Sequence, residues 1–379
     1  MKSWKSSPLS GLKTEMRKRI LFIAAHRPHR SPSQRFRFEQ YFSFLKSSGY
    51  DYDFSYLISE KDDKIFYAPG NWHTKVYIFF KSLLKRLRDV IRAGHYDIIF
   101  VQREAFMTGS TFFEKRFAKS SAKLVFDFDD AIWHFDVSEA NKNLGWLKNP
   151  GKTAKIIDMA DLTIAGNQYL ADYAKHHSEK VVIIPTTIDM DEYQRMVIAK
   201  ENDALTIGWS GSITTIKHFE YAIPPLRALK EKFGSKISFK VIGDSSYRNA
   251  ELGIQGIPWK KTDEIKELSS FDIGIMPLPD DEWAKGKCGL KGLQYMALEI
   301  PAVMSPVGVN AEIIQDGVNG FLAGDTDEWI YKITMLIESL SLRKRMGEQA
   351  RKTVIEKYSV ISQQGNYLNA FNELLEKAK

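Results

Sequence analysis

The chain has 379 residues, 44% apolar and 27% charged, enough for two domains with buried cores and too apolar for a disordered, collagenous or coiled-coil protein. Its single cysteine, Cys288, excludes an intrachain disulfide and a multi-cysteine zinc site, and points to a reducing, cytoplasmic setting. The net charge of +7 is uneven: residues 1–120 carry 23 Lys/Arg against 11 Asp/Glu and the rest 31 against 36, so the basic first third suits an anionic partner such as phospholipid, a lipid-linked phosphate or RNA.

Residues 1–19 form a basic extension with no apolar stretch ahead of its cluster, so no secretory signal is expected. No apolar run reaches the roughly 18–20 residues that a membrane span needs. ILFIAA (20–25) reads as a buried parallel strand. A helix rich in aromatics follows up to Gly49, then a strand over 50–57 and a long helix over 75–93. In that helix Tyr77, Phe79, Phe80, Leu83 and Leu84 interleave with Lys81, Lys85, Arg86 and Arg88. Such a pattern suits either a membrane interface or a core-facing helix with a wet basic side. Strands over 96–102, 123–128, 161–166 and 180–185 alternate with further helices, the rhythm of a doubly wound α/β sheet.

Residues 20–190 thus form a first Rossmann-like domain, and 191–203 read as a polar linker. A second βαβ series over 204–355 has strands at 204–212, 236–244, 271–278 and 301–305. It includes a helix over 287–298. The segment 356–379 reads as a separate amphipathic helix. The expected fold is α/β, two doubly wound domains facing a cleft, with ligands at the carboxyl ends of the strands.

The chemistry concentrates there. Gly211 and Ser212 follow a strand and precede a helix, where glycine lets backbone N–H groups approach a phosphate; a tight turn alone would look alike. Lys287 and Lys291, four apart near a helix start, oppose the helix dipole and call for an anion such as a diphosphate. Asp127, Asp129 and Asp130 crowd the end of a first-domain strand, as an acceptor site, a metal site or a helix-capping cluster. His26, Arg35 and Arg37, on the loop after the first strand, are expected to face the cleft and could hold an acceptor phosphate, and Arg103 at the end of a strand is a further cleft candidate; each taken singly fits a structural role better.

The stretch GLKGLQYMALEIPAVMSPVGVNAEIIQDGVNGFL resembles the signature of family 4 glycosyltransferases, the group 1 glycosyl transferases of GT-B architecture. The matching residues are Met296, Ala297, Pro301, Val303, Gly308, Glu312, Ile313, Asp316, Gly317, Asn319 and Gly320. Gly211 with Lys217 resembles the family's phosphate-binding pair, and Gly243 with Asp244 its second glycine-rich strand end. The family's two carboxylates spaced eight apart fall on Gly286 and Gln294, its phosphate-loop arginine on Ser212, and its His-Asp pair on Asp129 and Asp130.

The resemblance implies a retaining transferase that takes a nucleotide diphosphate sugar as substrate and needs no cofactor and no metal. Lys217 and Lys291 with Asp129 and Asp130 are the expected catalytic groups. Gly211, Ser212, Gly243, Asp244, Lys287 and Gln294 are expected to bind the donor, with Gln294 on the ribose. His26, Arg35, Arg37, Arg103 and Asp127 are expected to bind a carbohydrate or lipid-linked acceptor, and the last helix to pack back on the first domain. The expected location is cytoplasmic, at the inner face of the cell membrane, in cell-surface polysaccharide or glycolipid synthesis. A non-catalytic nucleotide-sugar-binding subunit and a nucleotide-sugar epimerase are the alternatives. No RNA motif accompanies the charge, so nucleic acid is not an expected partner.

Overall fold

The computed structural model describes residues 17–68, 70–134, 149–199 and 203–376. Most of the basic extension, part of the linker and the last three residues therefore lie outside the described residues. The first sheet has six strands in the order β2-β1-β3-β4-β5-β6. They are β1 (Lys18–His26), β2 (Tyr50–Ile58), β3 (Ile98–Gln102), β4 (Lys123–Phe128), β5 (Leu162–Ala165) and β6 (Val181–Ile183), all parallel.

Both faces of this sheet are covered, which is why its strands read as unbroken apolar runs. Ile20, Phe22 and Ala24 of β1 pack with Phe38, Tyr41 and Phe100 on one face. Leu21 and Ile23 pack with Val101, Phe113 and Phe117 on the other. The order reverses between β1 and β3, so the crevice beyond the ends of those strands is the natural ligand position.

The second sheet, β13-β12-β11-β7-β8, is also parallel. It comprises β7 (Leu205–Ser210), β8 (Ile237–Ile242), β11 (Ile273–Met276), β12 (Ala302–Met304) and β13 (Phe321–Leu322), with a small antiparallel ribbon, β9 (Arg248–Asn249) and β10 (Ile254–Gln255), between β8 and β11. Its order reverses between β7 and β11, whose following loops carry Gly211–Ser212 and the segment 277–289.

Two expected helices are broken by identifiable residues. The helix over 287–298 starts only at Leu290, because Gly289 adopts φ +70 and caps it. Lys287 therefore lies in the preceding loop, and the two lysines do not share a helical face. The helix that the sequence predicts over 217–232 stops at Phe219 and resumes at Ile223, where prolines occupy the first turn.

The chain crosses between the domains twice, and the two crossings touch. Ile188 N donates to Tyr358 O at 2.8 Å, and Val360 N donates to Ile188 O at 3.1 Å. Ahead of this point lies a π-helical turn, Val354–Tyr358; beyond it the last helix, Val360–Glu376, packs Tyr367 and Phe371 into the first domain's core. Tyr367 Oη donates to the carbonyl of Arg37 at 2.8 Å, and Tyr50 Oη donates to Asn372 Oδ1 at 2.7 Å.

Candidate active site

On the second-domain side, the loops after β7 and β8 lie against each other. A Cβ on Gly243 would sit 2.2 Å from the carbonyl oxygen of Gly211, and Gly243 has φ +127, so only glycine fits. Ser212 opens a short turn in which its hydroxyl meets Thr214 Oγ1 at 3.0 Å and Thr215 Oγ1 at 3.2 Å. Lys217 is exposed on the next turn and His218 is buried behind it. Asp244 accepts from Ser246 N at 2.8 Å and from Ser246 Oγ at 2.6 Å, so its carboxylate shapes its own loop.

The lysines gather at the reversal point of the sheet. Lys287 Nζ lies 2.7 Å from Asp130 Oδ1 and 4.7 Å from the Trp283 ring centroid. Lys291 Nζ stands 5.3 Å from the Trp209 ring centroid and forms no ion pair among the described residues. Burial, reinforced by Lys287, pushes the Lys291 ammonium down to about 8, and Asp130 pulls the other way. Burial also pushes His218 down to about 4, with Lys291, Lys287 and Lys217 adding to it. His218 Nδ1 has no hydrogen-bond partner among the described residues. Three lysines thus converge on a volume that only two carboxylates reach among the described residues, Asp130 at the lysines and Asp281 toward His218. Such a site attracts a polyanion.

On the first-domain side, Arg103 follows β3 in the left-handed region, φ +60, a costly conformation for arginine. Its guanidinium forks between Asp129 Oδ1 and Asp130 Oδ2, each at 2.8 Å. Burial alone would raise the Asp130 carboxyl; Lys287 and Arg103 outweigh it and hold the group below the ordinary range. His26, at the end of β1, bonds Tyr67 Oη through Nε2 at 2.7 Å. Burial, with Arg30 adding, keeps it neutral, its pKa pushed down to about 4.

Several expected site residues turn out to hold the scaffold. The aspartates do not share one site: β4 ends at Phe128, Asp129 and Asp130 leave the sheet, and Asp127 faces inward to Arg37. That pair is fully buried, so neither partner faces an acceptor. Arg35 is also buried, joining Glu264 of the second domain and Glu192. Gln294 is 5% exposed, and its Nε2 donates to Tyr193 Oη at 2.6 Å and Glu264 Oε1 at 3.1 Å, which turns the amide nitrogen away from a ribose. Glu264 also accepts from Tyr193 Oη at 2.9 Å and Trp259 Nε1 at 3.0 Å.

The sequence placed Trp259 to Glu264 as a lining for the base; the structure turns Glu264 inward to Arg35, Tyr193 and Gln294, and Tyr193 and His218 were missed. Tyr193 is fully buried within the segment read as a linker, and a single aromatic among Asp, Glu and Gln gave no periodic signal. His218 could have been found: it follows Lys217 directly and precedes the apolar Phe219.

The loop 286–288 presses on the first domain. A Cβ on Gly286 would lie 2.6 Å from Ala131 Cβ and 2.7 Å from Ala131 N, which explains why no carboxylate stands there. Asn167 Nδ2 donates to the carbonyls of Gly286 and Lys287 at 3.3 and 3.0 Å, and Cys288 Sγ donates to Asp129 O at 3.3 Å.

Residues 204–339 match the family Glycosyl transferases group 1. An uncharacterized glycosyltransferase of Methanocaldococcus jannaschii is 27% identical over 176 residues, 44% of this chain and 44% of that protein. The N-acetyl-alpha-D-glucosaminyl L-malate synthase of Bacillus anthracis is 32% identical over 100 residues, 26% of this chain and 25% of that one. The chain matches less than half the length of either. Among solved structures, a glycosyltransferase from Rickettsia africae aligns with TM-score 0.66 at 15% identity, over 95% of this chain and 99% of that one. A sucrose-phosphate synthase from Thermosynechococcus elongatus aligns with TM-score 0.68 at 12% identity, over 95% and 100%. HepE of Anabaena, solved with UDP and glucose, aligns with TM-score 0.64 at 13% identity, over 94% and 100%. At these identities the structural likeness is one of fold. The likeness to the group 1 glycosyl transferases thus covers residues 204–339, and both domains together have the GT-B fold of these solved structures.

Proposed function

We propose that the protein is a retaining hexosyltransferase that moves a sugar from a nucleotide diphosphate donor to a carbohydrate or lipid-linked acceptor in cell-surface polysaccharide or glycolipid synthesis. The observation that carries this reading is the convergence of Lys217, Lys287 and Lys291 at the reversal point of the second sheet. In transfer the acceptor oxygen bonds the anomeric carbon, the bond from that carbon to the diphosphate oxygen breaks, and negative charge grows on the leaving diphosphate. Fixed cations aimed at that charge are usually the largest catalytic contribution. Asp129 and Asp130, facing the cleft, orient the acceptor hydroxyl or take its proton. Retention rests on the family resemblance, and HepE, solved with UDP and glucose, shares the fold.

The reaction is proposed to need no divalent cation. The cleft aspartates are already held by Arg103 and Lys287, a donor set that suits cations of the protein better than a metal. A thermal-shift panel of UDP, GDP, dTDP and ADP tests the donor site. A nucleotide at about 100 times its Kd stabilises by about 2.7 kcal/mol. Sugar transfer should then persist in EDTA; loss with rescue by manganese would overturn the metal-free reading.

Gly286 and Gln294, in place of the family carboxylates, favour a second reading, a non-catalytic donor-binding subunit. Nucleotide binding with neither transfer nor donor hydrolysis would select it.

We further infer that the helix Trp72–Arg92 lies on an anionic bilayer. Its inward face is Ile78, Ser82, Arg86 and Asp89. Its outward face exposes Trp72 (68%), Tyr77 (64%), Phe80 (56%), Leu84 (66%) and Ile91 (82%). Lys81, Lys85, Arg88 and Arg92 border that apolar stripe. Aromatic and aliphatic side chains in the headgroup boundary with cations beside them is the geometry of an interfacial helix. No helix among the described residues is long and apolar enough to cross a membrane.

A further inference from the structure

Lys287 belongs to the second domain and Asp130 to the first, yet they form one of the tightest contacts across the cleft, 2.7 Å, with 19% and 14% of their side chains exposed. Asp130 is held from behind, its other oxygen on Arg103. Lys287 is held too, because the backbone on either side of it is pinned to the first domain through Asn167, Ala131 and the carbonyl of Asp129. Both partners of the pair are therefore positioned by their own surroundings.

Asp130 is also the carboxylate that reaches Lys291, opposing the effect of Lys287 there. It is the carboxylate that pairs directly with a lysine of the cluster. A diphosphate entering that cluster brings several negative charges to within a few ångströms of Asp130. At such distances like charges in a partly buried site repel strongly, too strongly for both to share one lysine unchanged.

On the reading of the cleft as a donor site, we propose that Asp130 stands in for the donor diphosphate on Lys287 while the cleft is empty, and that a nucleotide diphosphate takes the lysine from it. Donor and first-domain carboxylate then compete for one cation. Release from Lys287 leaves Asp130 with Arg103 alone and restores its basicity when a donor is in place. The acceptor-side group is thereby readied by donor binding, which makes the donor the first substrate to bind.

The test is titration calorimetry with two probes, inorganic pyrophosphate and UDP, on the full chain. The variants are Asp130→Asn, Lys287→Met and the double variant, each with its melting temperature measured. With Lys287 present, Asp130→Asn should bind pyrophosphate at least about threefold more tightly, the gain from removing a competing ion-pair partner. In the Lys287→Met background that gain should fall by more than half. A purely structural role for Asp130 would lower affinity along with the melting temperature, and would overturn the proposal. An equal gain in both backgrounds would mean simple repulsion and would overturn it too, as would no gain. Asp130→Ser replaces Asp130→Asn if the latter folds poorly. Failure of the unaltered protein to bind pyrophosphate or any of the four nucleoside diphosphates would sink the donor-site reading itself. Binding by the unaltered protein without a Lys287-dependent gain would sink the competition alone.

Discussion

Lys291 carries the sharpest expectation at the scale of single residues. A polyanion restores the charge that burial and Lys287 work against, so Lys291→Ala and Lys217→Ala should weaken nucleoside diphosphate binding at least about tenfold and leave nucleoside binding nearly unchanged. Calorimetry with UDP and uridine separates the two; equal losses would make the lysines structural. The pH dependence follows in sign. The ordinary lysine value is 10.5 and Lys291 stands at about 8, so the free site loses a cation as pH rises past 8. Diphosphate affinity should fall between pH 7 and 9, with proton uptake on binding near pH 8. Asp130→Asn should lower turnover at least about tenfold, a floor set below the roughly 10²–10⁴-fold that a positioned base supplies. The lysines and Asp129–Asp130 were legible in the sequence because charge at a strand end or helix start needs a partner. The fate of Arg37 and Asp127 was not legible, because they lie ninety residues apart and only the sheet brings them together.

Among the elements, the helix Trp72–Arg92 separates surface from stability. Its inward residues and its exposed stripe lie on different sides, so Tyr77→Ser, Leu84→Ser and Ile91→Ser together should leave the melting temperature almost unchanged, each exposed substitution being worth within about 0.5 kcal/mol. Binding to anionic liposomes should drop severalfold. Binding by the unaltered protein should weaken as salt rises past the range where screening acts over about 8–10 Å. Salt-independent binding, or an equal loss of fold and binding, would remove the membrane from the account. The sequence showed the interleaving but not which side faced out, since a core-facing helix has the same pattern. The breaks at Gly289 and at Pro224–Pro225 were written in the residues and overridden in the reading by the apolar periodicity around them.

For the whole molecule, the buried histidines imply a stability that falls in acid. His26 and His218 stand at about 4 in the fold against an ordinary 6.5. Between those values the unfolded chain takes up protons that the fold refuses, so stability should fall as pH drops from about 7 to 4. Glu39, whose carboxyl burial raises, works against this trend. Melting curves across that range check it, and His218→Gln should flatten the slope; an unchanged slope would refute the assignment. Both sheets were legible because parallel strands covered on two faces read as unbroken apolar runs, and because reversal points follow from the βαβ rhythm. The contacts that join the domains were not. Arg35 with Glu264, Gly286 with Ala131 and Lys287 with Asp130 are single contacts between residues more than 150 positions apart, with no periodicity to announce them.

The return of the last helix to the first sheet has a consequence for how the protein is made. The ribosome delivers β1 to β6 long before it delivers Tyr367 and Phe371. About 180 residues separate the end of β6 from that helix, which at about 5–20 residues per second is a wait of roughly 10–40 s. Throughout that interval Tyr41, Tyr50 and Phe100 lack the rings of Tyr367 and Phe371 that complete their cover in the finished molecule. A nascent chain arrested before residue 360 should offer that surface to chaperones and proteases, and the arrival of the final helix should end its exposure.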